Sequence, residues 1–403
     1  MTILTKTKMP VVPITELEQS AFCQTDEELE SKSLVEEFAV GVRWQRIPKK
    51  YLGLSPKVIA KKIKSAKKLL GQKVAVLGHH YQRDEVIQFA DYTGDSFKLS
   101  QYAASQKDVE YIIFCGVHFM AETADILTND DQSVILPNMT AGCSMSDMAT
   151  TDDVLDCWDD LNSVLENQII TPITYMNSTA DIKSLCGEND GIVCTSSNAK
   201  NTFEWALKKQ GKILFLPDQH LGRNTALRMG ISNDEMIVWD PFKSLGGNSV
   251  EDIDKAKIIL WKGHCSVHTR FTVEQIKRAR NKHQDIKVIV HPECTPDVVD
   301  NSDFYGSTEF IIDEVSNAKP GTTWAIGTEI NLVNRLAKDN KDKNIFCLDS
   351  MVCPCATMYR IHPAYLLWML ESLVEKNPTN VVQVASNTKK NAKKALDLML
   401  SLS

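Results

Sequence analysis

The strongest constraint on the fold is an internal repeat. Three β-rich runs end in polar triplets: "VAVLGHHYQ" in His79, His80 and Tyr81, "ITYMNS" in Tyr175, Met176 and Asn177, and "VIVHPEC" in His291, Pro292 and Glu293. Each triplet is followed by a small hydroxyl residue in a glycine- or serine-rich turn: Ser96, Ser196 and Thr308. His79 to Ser96 is 17 residues, and His291 to Thr308 is also 17. Ser96 to Cys143 is 47 residues, and Thr308 to Cys355 is also 47. The middle set, Tyr175, Ser196 and Cys265, keeps the order with longer gaps of 21 and 69. Self-similarity of this kind marks a structural unit used more than once.

The runs "KVAVLGHH", "YIIFCGV", "SVILPN", "IITPITYMNS", "GIVCTSS", "KILFLPD", "KVIVHPE", "FIIDE" and "TTWAIGT" are separated by helix-like segments. Strand and helix patterns that alternate in this way predict parallel α/β layers. Three α/β units are expected, at 55–145, 146–265 and 266–355. Residues 356–403 are expected to pack back on the first unit, and 1–54 read as an extension with an acidic, partly helical stretch, "TDEELESKSLVEEF". In "SPKVIAKKIKSAKKLLG", Ser55 suits an N-cap, Pro56 the first helical position and Gly71 the stop. Its lysines read as a solvated face rather than a phosphate patch.

Several function classes are excluded. Gly-x4-Gly-Lys-Ser/Thr and Gly-x-Gly-x2-Gly are both missing, so neither an NTPase nor a standard dinucleotide fold is supported. The formal charge of −7 leaves no basic footprint for nucleic acid. No apolar run approaches the roughly 18 residues that a membrane span needs. "MTILTKTKMPVVPITELEQS" lacks the apolar core of a secretory signal, which points to the cytoplasm.

The chain has 11 cysteines. In that compartment a disulfide scaffold is not expected. Cys115 in "YIIFCGV" and Cys194 in "GIVCTSS" read as small core residues. Cys143, Cys265 and Cys355 differ, because the repeat gives one to each unit. They are 122 and 90 residues apart, so only the tertiary fold can gather them. Spacing alone also fits three unrelated core cysteines. Their flanks are loop-like, however: "AGCSMSD", "WKGHCSVH" and "MVCPCATM". Three thiolates on a [4Fe–4S] cluster leave one iron without a protein ligand, open to act as a Lewis acid. Between Cys353 and Cys355, the 47-residue step selects Cys355.

The motifs "GHHYQ", "GDS", "FMAETA", "YMNS", "TSSNA", "PDQHLGRN", "WKGHCSVH", "VHPEC", "GSTEF" and "CPCATM", in this order over about residues 55–375, resemble the quinolinate synthases in their longer bacterial form. The resemblance implies three α/β units with pseudo-threefold symmetry around one [4Fe–4S] cluster. It implies condensation of iminoaspartate with dihydroxyacetone phosphate to quinolinate for NAD biosynthesis, with loss of phosphate and two waters. It also implies functional coupling to an L-aspartate oxidase, and a monomer or homodimer. Carried over by motif, the cluster ligands are Cys143, Cys265 and Cys355, the last through the Cys-x2-Met spacing to Met358. His79, Ser96, Tyr175, Asn177, Ser196, His291, Glu293 and Thr308 match substrate-contacting positions. Tyr81 and His268 match residues near the reacting centre.

The required chemistry assigns roles to these residues. Ser96, Ser196 and Thr308 suit the holding of phosphate and carboxylates. Glu293 is the candidate base and Tyr81 a proton relay. Two other readings remain at this point. One is a different [4Fe–4S] hydro-lyase acting on a small hydroxy acid. The other is a non-enzymatic iron–sulfur sensor, which would call for a partner or DNA-binding module.

Overall fold

The computed structural model describes residues 18, 21–23, 32–166, 168–351 and 353–402. The segment read for a secretory signal, residue 18 apart, and the first half of the acidic stretch lie outside the described residues, and its second half carries the short helix Leu34–Phe38.

Three separate sheets carry the fold. The first joins β1 (Val74–His79), β2 (Tyr92–Gly94), β3 (Tyr111–Cys115) and β4 (Ser133–Ile135), and β14 (Val381–Val382) pairs antiparallel on the far edge of β4. The second joins β5 (Ile170–Tyr175), β6 (Ile192–Cys194), β7 (Lys212–Leu216), β8 (Met236–Trp239) and β9 (Ile258–Trp261) in the order β6-β5-β7-β9-β8. The third joins β10 (Lys287–Val290), β11 (Phe304–Tyr305), β12 (Thr323–Gly327) and β13 (Asn344–Cys347) in the order β11-β10-β12-β13. In each sheet the unit's first strand lies between its second and third, and these pairings are parallel. One wiring is thus used three times, and helices cover the sheets. β1 and β5 are buried along their whole length, as their near-continuous apolar runs require between two helix layers.

The loose middle spacing has a structural cause. The first crossover of the second unit carries the nine-residue helix Ala180–Glu188, where the first unit has four residues, Asp84–Ile87, and the third has six, Pro296–Asn301. The longer gap to Cys265 accommodates the extra edge strand β8 and the helix Val250–Lys255.

"FIIDE", expected as a strand, is helical within Thr308–Ser316. Ser307 caps it by accepting from Phe310 N, and Ile311 and Val315 bury one face four residues apart. The run was too short to separate the two periods by pattern. The lysine-rich segment forms the helix Pro56–Leu70 with Gly71 at φ 57°, as its end signals predict.

The C-terminal segment touches two units. The helix Pro363–Val374 packs on Pro56–Leu70, and β14 extends the first sheet. The last helix, Ser386–Ser401, lies against Ala180–Glu188 of the second unit. Gly187 permits that approach, since a Cβ there would stand 1.9 Å from the Asn391 carbonyl oxygen. The described part of the extension is tied to the body by a buried Glu37–Arg83 pair and a Tyr51–Glu371 hydrogen bond. A disulfide joins Cys23 to Cys353. The other nine cysteines are free, so this single bridge, where the extension passes beside the "CPC" loop, is not a disulfide scaffold.

Candidate active site

The C-terminal ends of the parallel strands, from all three units, face a single cavity of about 700 Å³, its mouth included. Open parallel sheets place their sites at these ends, where side chains leave the ladder and helix N-termini begin. The first unit contributes His79 at the end of β1, then Tyr81, and Ser96 as the first residue of the helix Ser96–Ser105. The second contributes Tyr175 at the end of β5, then Asn177, and Ser196 in the turn before the helix Ala199–Leu207. The third contributes His291 and Glu293 just beyond β10, and Thr308 as the first residue of its helix. Cys143, Cys265 and Cys355 line the same space from the loops after β4, β9 and β13, as does His268.

Backbone bonds aim these strand ends. His80 N–H donates to Gly94 O at 3.1 Å, and Met176 N–H donates to Cys194 O at 2.8 Å, the same bond in the first two units. In the third, Gly306 N–H donates to Val290 O at 3.1 Å.

A hydrogen-bonded chain crosses the site. Glu293 Oε2 lies 2.7 Å from His268 Nδ1, and His268 Nε2 lies 3.1 Å from Thr328 Oγ1. Thr328 Oγ1 is 2.9 Å from the Tyr81 hydroxyl, which is 3.1 Å from Thr308 Oγ1. His268 and His291 stack with ring centroids 4.3 Å apart. Burial disfavours charge on Glu293, but His291, His268 and the Tyr175 hydroxyl outweigh it and hold the carboxyl below the usual range. The carboxylate is therefore ionised, and its bond to an imidazole gives a proton a path between the two groups. Burial holds His79 and His291 at about 3, so both imidazoles are neutral. Burial and the nearby Glu293 push the Tyr81 and Tyr175 phenols well up, so both stay protonated.

The three cavity thiols sense one another. Burial pushes all of them up; Cys143 and Cys355 raise Cys265 further, and Cys355 raises Cys143. Three half-buried thiols gathered from three units onto one cavity fit a site completed by a metal's charge. Cys265, His268 and Glu293 also bring ligand atoms within 4.8 Å of one another, close enough to hold a metal ion. The Cys353 sulfur is engaged with Cys23, while Cys355 carries a free thiol in the cavity.

Thr328 was missed by sequence reasoning. It follows β12 and bridges Tyr81 and His268, residues of different units. Its position at a strand exit was the available signal. Asp95 also lines the cavity, and its carboxyl caps the helix that Ser96 begins by accepting from Lys98 N at 2.8 Å.

Residues 61–401 match the Quinolinate synthetase A protein family. A quinolinate synthase of Corynebacterium glutamicum is 54% identical over 360 residues, covering 89% of this chain and 91% of the relative. That of Acidobacterium capsulatum is 54% identical over 355 residues, covering 87% and 95%. That of Geobacillus kaustophilus is 51% identical over 363 residues, covering 89% and 98%. With matches of this extent on a fold of three like-wired units around one cavity, the chain belongs to the quinolinate synthase family.

Proposed function

We infer that the protein is a quinolinate synthase, condensing iminoaspartate with dihydroxyacetone phosphate to quinolinate in NAD biosynthesis, with loss of phosphate and two waters. The observation that carries this reading is the convergence of 13 motif residues, drawn from three units, on one cavity. Cys143, Cys265 and Cys355 are read as the ligands of one [4Fe–4S] cluster. When bound, such a cluster supplies a Lewis-acidic iron without a protein ligand.

The chain's own residues do the rest. Ser96 and Thr308, each opening a helix, and Ser196 in its turn present hydroxyls beside backbone N–H groups to the phosphate and carboxylates of the substrates. Neutral His79 and His291 donate or accept hydrogen bonds without adding charge. Glu293 removes the proton beside the carbonyl, and His268 holds its carboxylate in place. The Thr328–Tyr81–Thr308 hydroxyls carry protons between that dyad and the phosphate end. Tyr175 and Asn177 close the second-unit side of the cavity and limit water, which would hydrolyse iminoaspartate.

We propose the cytoplasm as the site of the reaction; among the described residues no helix is long and apolar enough to cross a membrane. An L-aspartate oxidase is the functional partner that the chemistry calls for, because iminoaspartate is short-lived. The chain acts as a monomer or homodimer.

A second reading comes from the Cys265, His268 and Glu293 group, which has the ligand set for a single metal ion. Anaerobic purification followed by metal, sulfide and quinolinate assays separates the two. The cluster reading expects about four irons and four sulfides per chain, with quinolinate formed from dihydroxyacetone phosphate and freshly generated iminoaspartate. Stoichiometric zinc without sulfide favours the single-ion site. Cluster-replete protein that makes no quinolinate returns the reading to a [4Fe–4S] hydro-lyase.

A further inference from the structure

Two buried acids lie at repeat-equivalent positions that the reaction chemistry does not use. Asp218 stands two residues past Leu216, the end of β7, and Glu329 stands two past Gly327, the end of β12. β7 and β12 are the third strands of their units, and each lies beside the strand whose following loop carries the cysteine. Each acid caps the next helix. Asp218 Oδ1 accepts from His220 N at 2.7 Å and Leu221 N at 3.0 Å, and Glu329 Oε2 accepts from Asn331 N at 2.8 Å.

Glu329 also reaches sideways to a cysteine loop, and Asp218 meets one through its backbone. Glu329 Oε1 accepts the Cys355 backbone N–H at 3.2 Å, and Asn331 Nδ2 at 2.8 Å. Burial and the nearby Glu293 push the Asp218 carboxyl well up, although the Cys265 backbone N–H works the other way. The Asp218 backbone is zipped to Gly263, two residues before Cys265, by a parallel bridge and by Gln219 N–H to Gly263 O at 3.0 Å. Gly263 has to be glycine for this approach, because a Cβ would stand 2.2 Å from Pro217 O. Oδ2 of Asp218 is buried without a hydrogen-bond partner among the described residues. The first unit differs: the equivalent position is Val117, which gives no side-chain cap, and its cysteine loop is tied without a carboxyl, by His118 N–H to Ala141 O at 2.8 Å, Arg360 Nη1 to Thr140 O at 3.2 Å and Asn138 Nδ2 to Arg360 O at 2.9 Å.

We propose that Glu329 is a positioning residue that clamps the Cys355 loop through its backbone N–H, whereas the Cys265 loop is held to Asp218 by backbone bonds and the Cys143 loop has no carboxyl clamp. The proposal rests on reading these three cysteines as the cluster ligands. The Cys355 thiol is then fixed by a carboxyl before any cluster arrives, a device that the Cys143 loop does not have. A carboxylate suits the task because its two oxygens satisfy three N–H donors at Glu329. Glutamine has one oxygen, so it must turn an NH₂ toward at least one of them.

The test uses the full chain in metal-free and cluster-loaded forms. In metal-free protein, iodoacetamide labelling of each cysteine is followed by mass spectrometry. Glu329→Gln and Glu329→Asp should speed labelling of Cys355 by about tenfold or more, the loss of one hydrogen bond to a charged group, and leave Cys143 unchanged. Cys265 should also be unchanged. In loaded protein, Glu329→Gln should speed chelator-driven iron loss and shift the electron paramagnetic resonance spectrum of the reduced cluster. Asn331→Ala removes another donor to the same carboxyl but keeps the Cys355 bond, so it should leave Cys355 labelling unchanged. Unchanged Cys355 labelling in both Glu329 variants, or equal acceleration in Asn331→Ala, overturns the clamp. Faster labelling with an unaltered spectrum and iron loss supports the clamp and overturns the ligand reading.

Discussion

Glu293→Gln isolates proton transfer from binding and folding. The carboxylate is buried and lies 2.7 Å from His268 Nδ1, with His291 packed alongside. Glutamine keeps the volume and one acceptor oxygen, so the cavity retains its shape. Replacing a hydrogen bond to a charged group by a neutral one costs on the order of 1 kcal/mol, and the buried charge that is removed offsets part of it. The fold and the cysteine loops should therefore persist. Turnover should not. Loss of a general base typically slows a reaction about 10²–10⁴-fold, which is about 2.7–5.4 kcal/mol of barrier at about 1.36 kcal/mol per factor of ten. The kinetic loss exceeds the stability loss by a margin that two measurements can resolve. Iron and sulfide content and the thermal midpoint are taken first, then quinolinate formation under anaerobic, saturating conditions. Near-normal turnover in cluster-replete Glu293→Gln would refute the assignment of the base.

Two further outcomes are expected. Cys355→Ser should lose the cluster, measured as iron and sulfide, while Cys353→Ser keeps it, because the Cys353 sulfur is engaged with Cys23 and Cys355 faces the cavity; the reverse pattern would put the repeat register off by two residues. Burial holds His79, His291 and His362 at about 3, whereas in the unfolded chain each titrates near 6.5, so the unfolded state binds more protons in between and stability falls as pH drops from about 6.5 toward 3. Each histidine contributes a slope of up to about 1.4 kcal/mol per pH unit; His362→Asn, which can still cap Ala364 N, should remove one such increment from urea midpoints of metal-free protein, and an unchanged slope would refute it.

The sequence displayed whatever recurs at a fixed interval and hid whatever depends on one unit meeting another. The 17- and 47-residue steps were legible because the first and third units share connection lengths, and the middle unit read poorly because a longer helix and an extra strand stretch it. β2 and β11 have only three and two residues, "YTG" and "FY", too few to show a period. Thr328 joins Tyr81 across 247 positions, and Cys23 joins Cys353 across 330, so no local pattern announces either. "FIIDE" failed for the opposite reason, a run apolar enough for a strand but set behind a serine cap.

Comparing the units position by position separates two kinds of demand. The hydroxyl after the second strand is Ser96, Ser196 and Thr308, nearly the same three times, and the loop after the last shared strand always offers a cysteine. The strand-end triplets do not agree: the third member is Tyr81 in one unit, Asn177 in the next and Glu293 in the last. A group approached equally from three sides needs three like donors, and a cluster bound by three thiolates is such a group. A substrate pair with one phosphate, two carboxylates and one acidic carbon has no threefold symmetry. On the proposed reading the like hydroxyls serve its three anionic groups, and the residues that differ stand at the strand ends, where a side chain can change without disturbing the sheet behind it. The carboxyls of Asp218 and Glu329, opposed by Val117 in the first unit, depart from threefold likeness in the same way. They lie behind the cysteines rather than in the substrate space, so their asymmetry concerns how the three thiols are brought together rather than what they act upon.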